Sequence, residues 1–198
     1  MGASTFQNLL STPELVFLYQ NAVQDNIEYK VSAFWQHYLA LKFPPEKRYI
    51  ISHEHSPDNR SRRRVDILVQ HLFPDPSVAT TILMTECKRR CNSKFNDLEK
   101  QLLGYAESYF RANPNIGAVG GMTVWGTKAR VWTLEANWNR DGVVAVFIPR
   151  FGPCTSNDKA WYIDAGHVES WYIEEAVCEM TGSAPPPRPE ELDEYERS

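Results

Sequence analysis

The sequence predicts a mixed α/β domain, a central β-sheet flanked by helices. Three observations predict it. Apolar residues recur at three- and four-residue spacing near the N-terminus and again over residues 98–109, as one buried helix face requires. Two apolar runs, 65–73 and 79–87, stand on either side of Pro74-Asp75-Pro76-Ser77, as hairpin strands stand around a turn. From Ile116 to Leu134 the pattern becomes glycine with alternating large residues, which suits further strands. Helices, a strand meander, a helix and more strands make a mixed α/β class the simplest assignment.

Each element follows in order. Thr12 caps and Pro13 opens a helix over 13–22. Asn26 is placed to cap a second helix over 26–41, with Ile27, Val31, Phe34, Trp35, Tyr38 and Leu39 on its buried face. Phe43-Pro44-Pro45 stops it. Residues 48–51 read as a short strand and 53–64 as a polar loop. His53-Glu54-His55 lies in that loop and finds no third ligand at metal spacing. The hairpin 65–73 and 79–87 follows. Asn96 with Glu99 three residues on fits a capping box, opening a helix whose Leu98, Leu102, Tyr105 and Tyr109 face inward until Asn113-Pro114. Two strands meet around Gly126-Thr127, another covers 142–148, and residues 160–180 hold a strand and a closing helix over 168–180. Residues 1–181 form one domain. The Pro185-Pro186-Pro187-Arg188-Pro189 stretch and the acidic finish make 182–198 a disordered tail.

Composition narrows the function class. At 198 residues, 42% hydrophobic and 23% charged, the chain has enough apolar material for one sizeable core. A net charge of −4 advertises no general affinity for nucleic acid, although a local basic face is sufficient. No apolar run is long enough to cross a bilayer, so no membrane partner is expected. The N-terminus lacks a basic segment followed by a long apolar one, so no secretory signal is expected. The four cysteines, Cys87, Cys91, Cys154 and Cys178, form no Cys-x-x-Cys pair and read as reduced thiols. The expected location is intracellular, cytoplasmic or nuclear.

Chemistry concentrates in LMTECKRR, residues 83–90. Burying a charge is costly unless it is paired or holds a metal. If Phe73 faces Ala79 across the turn, Leu68 faces Met84 and Asp66 faces Glu86. Alternation then points Asp66, Glu86 and Lys88 to one face at one end of the sheet. Carboxylates set opposite each other on neighbouring strands repel, and a divalent cation removes the repulsion. Mg²⁺ takes one or two carboxylates and completes its shell with water or phosphate oxygens. Asp58 and Asp75 compete with Asp66 for the role of first ligand, but Asp66 has the best geometry. The plain alternative is that these are rim charges on an ordinary sheet. Arg60, Arg62, Arg63 and Arg64 precede Asp66, while Arg89, Arg90 and Lys94 follow Lys88. They form a basic rim for phosphates or a solvated surface.

Val65-Asp66-Ile67-Leu68-Val69, then Glu86-Cys87-Lys88, then a helix containing Gln101, resembles the PD-(D/E)XK nuclease superfamily over about residues 26 to 135. Val65 stands where that family's name has proline. The resemblance implies a restriction endonuclease-like core and hydrolysis of phosphodiester bonds in nucleic acid, DNA ahead of RNA. It implies Mg²⁺ or Mn²⁺ held by Asp66, Glu86 and the Cys87 carbonyl, with Lys88 assisting the attacking water. It matches Glu28 to the family's early helix acid and Gln101 to its later helix glutamine. It also suggests a homodimer, since many such nucleases pair to cut two strands. Two readings from other classes stand beside it. One is a catalytically inactive nuclease-fold module that binds nucleic acid or protein. The other is an effector whose aromatic C-terminal face, around Trp161-Tyr162 and Trp171-Tyr172, binds another protein.

Overall fold

A computed structural model describes residues 7–56, 64–73 and 79–189, except the side chains of residues 92–94. Its order is α1 (Pro13–Asp25), α2 (Glu28–Lys42), β1 (Tyr49–His55), β2 (Val65–Leu72), β3 (Ala79–Lys88), α3 (Asn92–Ala112), β4 (Ala118–Trp125), β5 (Lys128–Asn139), β6 (Gly142–Pro149), β7 (Ile163–Asp164) and α4 (Trp171–Thr181). Seven strands make one sheet in the order β1-β2-β3-β4-β5-β6, with β7 paired to β5. The fold is α/β with a mixed, mostly antiparallel sheet flanked by helices. Among the described residues, only β3 and β4 run parallel. A parallel pair needs a crossover, and α3 supplies it.

Strand alternation divides the apolar residues into two cores. Ile67, Val69, Leu83 and Cys87 face α1, α2 and α4, where Leu15, Phe34, Trp35, Leu39, Ile173 and Val177 meet them. Leu68, Met84, Trp132 and Leu134 face α3, against Leu102, Tyr105, Ala106 and Phe110. Covered on both faces, β3 reads as an apolar run until its last residues, as a central strand should.

The β2–β3 register departs from simple counting. Leu72, not Phe73, faces Ala79, and Gln70 faces Thr81. The register then shifts, so that Val69 faces Leu83, Leu68 faces Met84 and Ile67 faces Thr85. Ile82 is the extra residue of a β-bulge. The pairing ends at Ile67 and Thr85, one residue short of Asp66 and Glu86, and the two carboxylates line clefts beside α2 and α3 respectively.

Three further expectations are corrected. Asn26 does not cap α2. It closes α1 in a left-handed conformation (φ 44), and α2 starts at Glu28 after Ile27. Nor does Asn96 cap α3, which begins a turn earlier at Asn92 after Cys91. The earlier start leaves Glu99 inside the helix with 2% exposure, where its carboxylate accepts from the Asn157 N–H and the Tyr162 hydroxyl. His53 and Glu54 lie on β1 rather than in a loop, with Glu54 at φ 46. The predicted turn at 74–77 falls outside the described residues. No helix among the described residues is long and apolar enough to cross a membrane.

Gly120 shows how tightly β3, β4 and α4 meet. A Cβ there would stand 2.6 Å from the Ile82 carbonyl oxygen and 2.8 Å from Met180 Sδ. The backbone at the bulge has no freedom to yield. Gly120→Ala should lower stability by roughly 1–3 kcal/mol, read from the urea midpoint. Gly117→Ala should serve as its control, because nothing stands within 4 Å of that position.

Candidate functional site

The site is built where β2, β3 and α2 end together. Asp66 Oδ2 accepts the Cys87 N–H at 2.6 Å, so the carboxylate completes a ladder bond that the end of β2 leaves open. Lys88 Nζ donates to Glu86 Oε1 at 2.7 Å. The same ammonium stands 3.6 Å from Glu28 Oε1 and 4.0 Å from Asp66 Oδ2. One cation is therefore shared by acids from three elements. Glu28 comes from the first turn of α2, where an acid also favours the helix dipole.

The neighbouring backbone is fixed from the other side. The Asn26 amide brackets Arg90, accepting its N–H at 2.7 Å and donating to its carbonyl at 2.9 Å. The Gly126 N–H donates to the Lys88 carbonyl at 2.8 Å. The Trp35 indole donates in turn to the Gly126 carbonyl at 3.0 Å. The α1–α2 corner, the end of β3 and the β4–β5 turn are thus tied around Lys88.

Electrostatics at this end are strained toward negative charge. Burial, then Asp66, pushes Glu86 up to about 7 against the pull of Lys88. Burial also raises Asp66, although the Cys87 N–H and Lys88 oppose it. Burial alone would lower Lys88, but Glu86, Asp66 and Glu28 outweigh it and hold the ammonium protonated. The Cys87 thiol is pushed well up by burial in the α2-side core, so this residue offers a carbonyl rather than a thiolate.

Two clefts flank the cluster. One, of about 450 Å³, is lined by Glu28, Tyr29, Ser32, Gln36, His53, Glu54 and Asp66. The other, of about 380 Å³, is lined by Arg64, Glu86, Lys100, Gln101, Gly104 and Glu107. Gln101 is therefore beside Glu86, but exposed, not on the buried stripe its neighbours suggested. Arg64 reaches this cleft and pairs with Glu54 at 3.3 Å. Arg89 and Arg90 are exposed, and the Arg90 guanidinium lies 5.5 Å from the Trp125 ring. Lys94 falls in the first turn of α3, its side chain outside the described residues. Arg60, Arg62 and Arg63 also lie outside them.

Sequence reasoning missed Tyr29, Ser32 and Gln36. Their spacing from Glu28 marks a polar stripe beside the apolar one on α2, which is the signal that would have found them. It also missed His53 and Glu54, which reach the cleft only because β1 extends past Ile51.

Among the described residues, no three His, Cys, Asp or Glu side chains form a metal-holding group. A closed protein cage does not fit here. Asp66, Glu86 and the Cys87 carbonyl are oxygen donors of the kind Mg²⁺ takes, since that ion binds through one or two carboxylates and keeps several waters. Three acids, one of them buried, crowd one ammonium here. No family model matches the chain, and no curated protein or solved structure matches it either.

The raised Glu86 pKa has a pH consequence. Its folded value, about 7, lies above its ordinary value of 4.5. The protonated form is favoured in the folded state, so stability from this group is lost as pH rises from about 4.5 to about 7. Glu86→Gln should therefore be near neutral at pH 4 and stabilising at pH 8, by roughly 1–3 kcal/mol. Paired urea melts at the two pH values check the sign.

Proposed function

We propose that the protein is a metal-dependent nuclease of the PD-(D/E)XK type, hydrolysing phosphodiester bonds in nucleic acid. The observation that carries this is the Lys88 ammonium, shared by Glu86, Asp66 and Glu28 at the end of a buried central strand. Asp66, Glu86 and the Cys87 carbonyl would hold Mg²⁺ or Mn²⁺. When bound, the ion supplies an acidified water and a charge that stabilises the developing phosphorane oxygens.

The chain's own residues supply the rest. Lys88 keeps its proton, so it acts as a charge and a hydrogen-bond donor rather than as a base. From its place it orients the attacking water and offsets negative charge on the phosphate. Asp66 is locked on the Cys87 N–H, which fixes one carboxylate oxygen and leaves the other for the site. Glu28 draws the ammonium toward α2 and away from a purely Glu86-bound position. Gln101 and Lys100, beside Glu86 in the α3-side cleft, present a donor and a charge to a polyanionic substrate.

Labelled single- and double-stranded DNA and RNA, incubated with Mg²⁺ or Mn²⁺, test this directly. The wild-type chain should cleave at least one of them. Lys88→Ala and Asp66→Asn should each reduce the rate by about 10²–10³-fold or more, the scale of losing one transition-state donor or ligand. Equal traces from wild type and Lys88→Ala would reject the catalytic reading. Metal-independent binding without cleavage would leave an inactive nucleic-acid-binding module.

A further inference from the structure

The C-terminal segment makes a second constellation, unrelated to the phosphodiester site. Residues 185–189 read Pro-Pro-Pro-Arg-Pro. Proline fixes its own φ and drives the preceding residue toward extended backbone. Ala184, Pro185, Pro186 and Arg188 each precede a proline, so sequence alone favours a polyproline II run. Such a run has little freedom left to lose on docking.

The end of α4 aims this segment back along the helix. Gly182 adopts a left-handed conformation (φ 66), and the Ser183 N–H donates to the Cys178 carbonyl at 3.0 Å. The chain reverses, and Pro186 reaches the first residue of α4. There the Trp171 indole N–H donates to the Pro186 carbonyl at 2.8 Å. The Arg188 guanidinium lies 4.3 Å from the Trp171 ring and 5.7 Å from the Tyr172 ring. It also pairs with Glu175 at 3.5 Å.

Core packing does not require these contacts, because α4 already commits Ile173, Ala176 and Val177 to the core. The features instead match the way aromatic grooves read polyproline II segments. An aromatic side chain donates to a proline carbonyl that has no internal partner, aromatic faces support flat groups, and an acid selects a cation. We propose that the Trp171–Tyr172–Glu175 face of α4 is a binding site for proline-rich, arginine-containing segments of another protein. The chain's own residues 185–189 occupy the site in cis.

A tethered segment competes at a high effective concentration, so the wild-type site is largely closed to outside peptide. Breaking the tether's ion pair opens it. The test titrates the fluorescent peptide Ser-Ala-Pro-Pro-Pro-Arg-Pro into the full chain, read by anisotropy. Arg188→Glu should bind this peptide about tenfold or more tightly than wild type, since its own segment no longer competes. Adding Glu175→Arg to that variant should restore the ion pair in reversed sense and abolish the gain. A peptide with its arginine replaced by glutamate should not bind Arg188→Glu. Equal affinity for wild type and Arg188→Glu, or a gain that survives Glu175→Arg, would overturn the proposal. So would concentration-dependent dimers of wild type that Arg188→Glu abolishes, because the occupant would then be a second copy's segment.

Discussion

Glu86, buried at the end of β3 with half-buried Asp66 close by, must be compensated, and Lys88 is the side chain that does so. Asp66 and Glu86 are brought to one ammonium by the neighbouring ends of β2 and β3, not by any attraction of their own. Burial raises both toward the protonated form, with Asp66 adding to it at Glu86 and Glu28 and Glu54 adding to it at Asp66. Lys88 returns part of that cost through Glu86 and stands close enough to Glu28 to bring α2 into the same balance. Removing the ammonium would leave buried acids without a partner, the costly half of any buried pair. The cluster is poor value as a stability device, since apolar residues of similar size would fill the same space without a charge penalty.

The scaffold around Lys88 is correspondingly overdetermined. The Asn26 amide holds both hydrogen-bonding groups of Arg90, and the left-handed backbone at Asn26 is what turns that amide toward β3. The Gly126 N–H holds the Lys88 carbonyl, and the Trp35 indole holds the Gly126 carbonyl in turn. These restraints act on backbone adjacent to the ammonium, where a small displacement would move the charge relative to all three acids. Rigid placement of this kind is what electrostatic stabilisation of a reacting group requires.

Much of this was legible in the sequence, because the signals were local or strictly periodic. The apolar runs of β2 and β3, the turn between them and the charged end of β3 fix an antiparallel pair with Asp66, Glu86 and Lys88 at one end. The bulge at Ile82 was not legible. Ile82 lies in a run of apolar and β-branched residues, and either register buries acceptable side chains there. The predicted turn pairing was one residue off, and the bulge cancels the error before the site is reached. Asn26 and Glu99 were misread for a related reason. Each fits a local capping rule, but its partners lie far away in sequence, at Arg90 for one and at Asn157 and Tyr162 for the other. Local propensity gives way where a buried or bridging polar group finds a distant partner. The exposure of Gln101 was not legible either: Leu98, Leu102 and Tyr105 are buried, but the position beside Leu102 already faces solvent.

The two constellations sit at opposite ends of α2. Glu28 in its first turn belongs to the Lys88 cluster. At its other end the Tyr38 hydroxyl donates to Glu174 Oε2 at 2.9 Å, and Lys42 pairs with the same carboxylate. Fifteen residues of helix separate the ends by about 20 Å. Glu174 is buried and lies next in sequence to Glu175, which carries the Arg188 ion pair. The α4 face and the Lys88 cluster therefore share one element, α2. Helix α2 is tied through its own half-exposed Glu28 at one end and to buried Glu174 at the other, so a segment bound at α4 acts on the Lys88 cluster only if it moves α2 as a body. Such a movement would disturb the Trp35–Gly126–Lys88 chain of hydrogen bonds along the way. The geometry thus favours two independent sites on one scaffold, with coupling reserved for a ligand that dislodges Glu174.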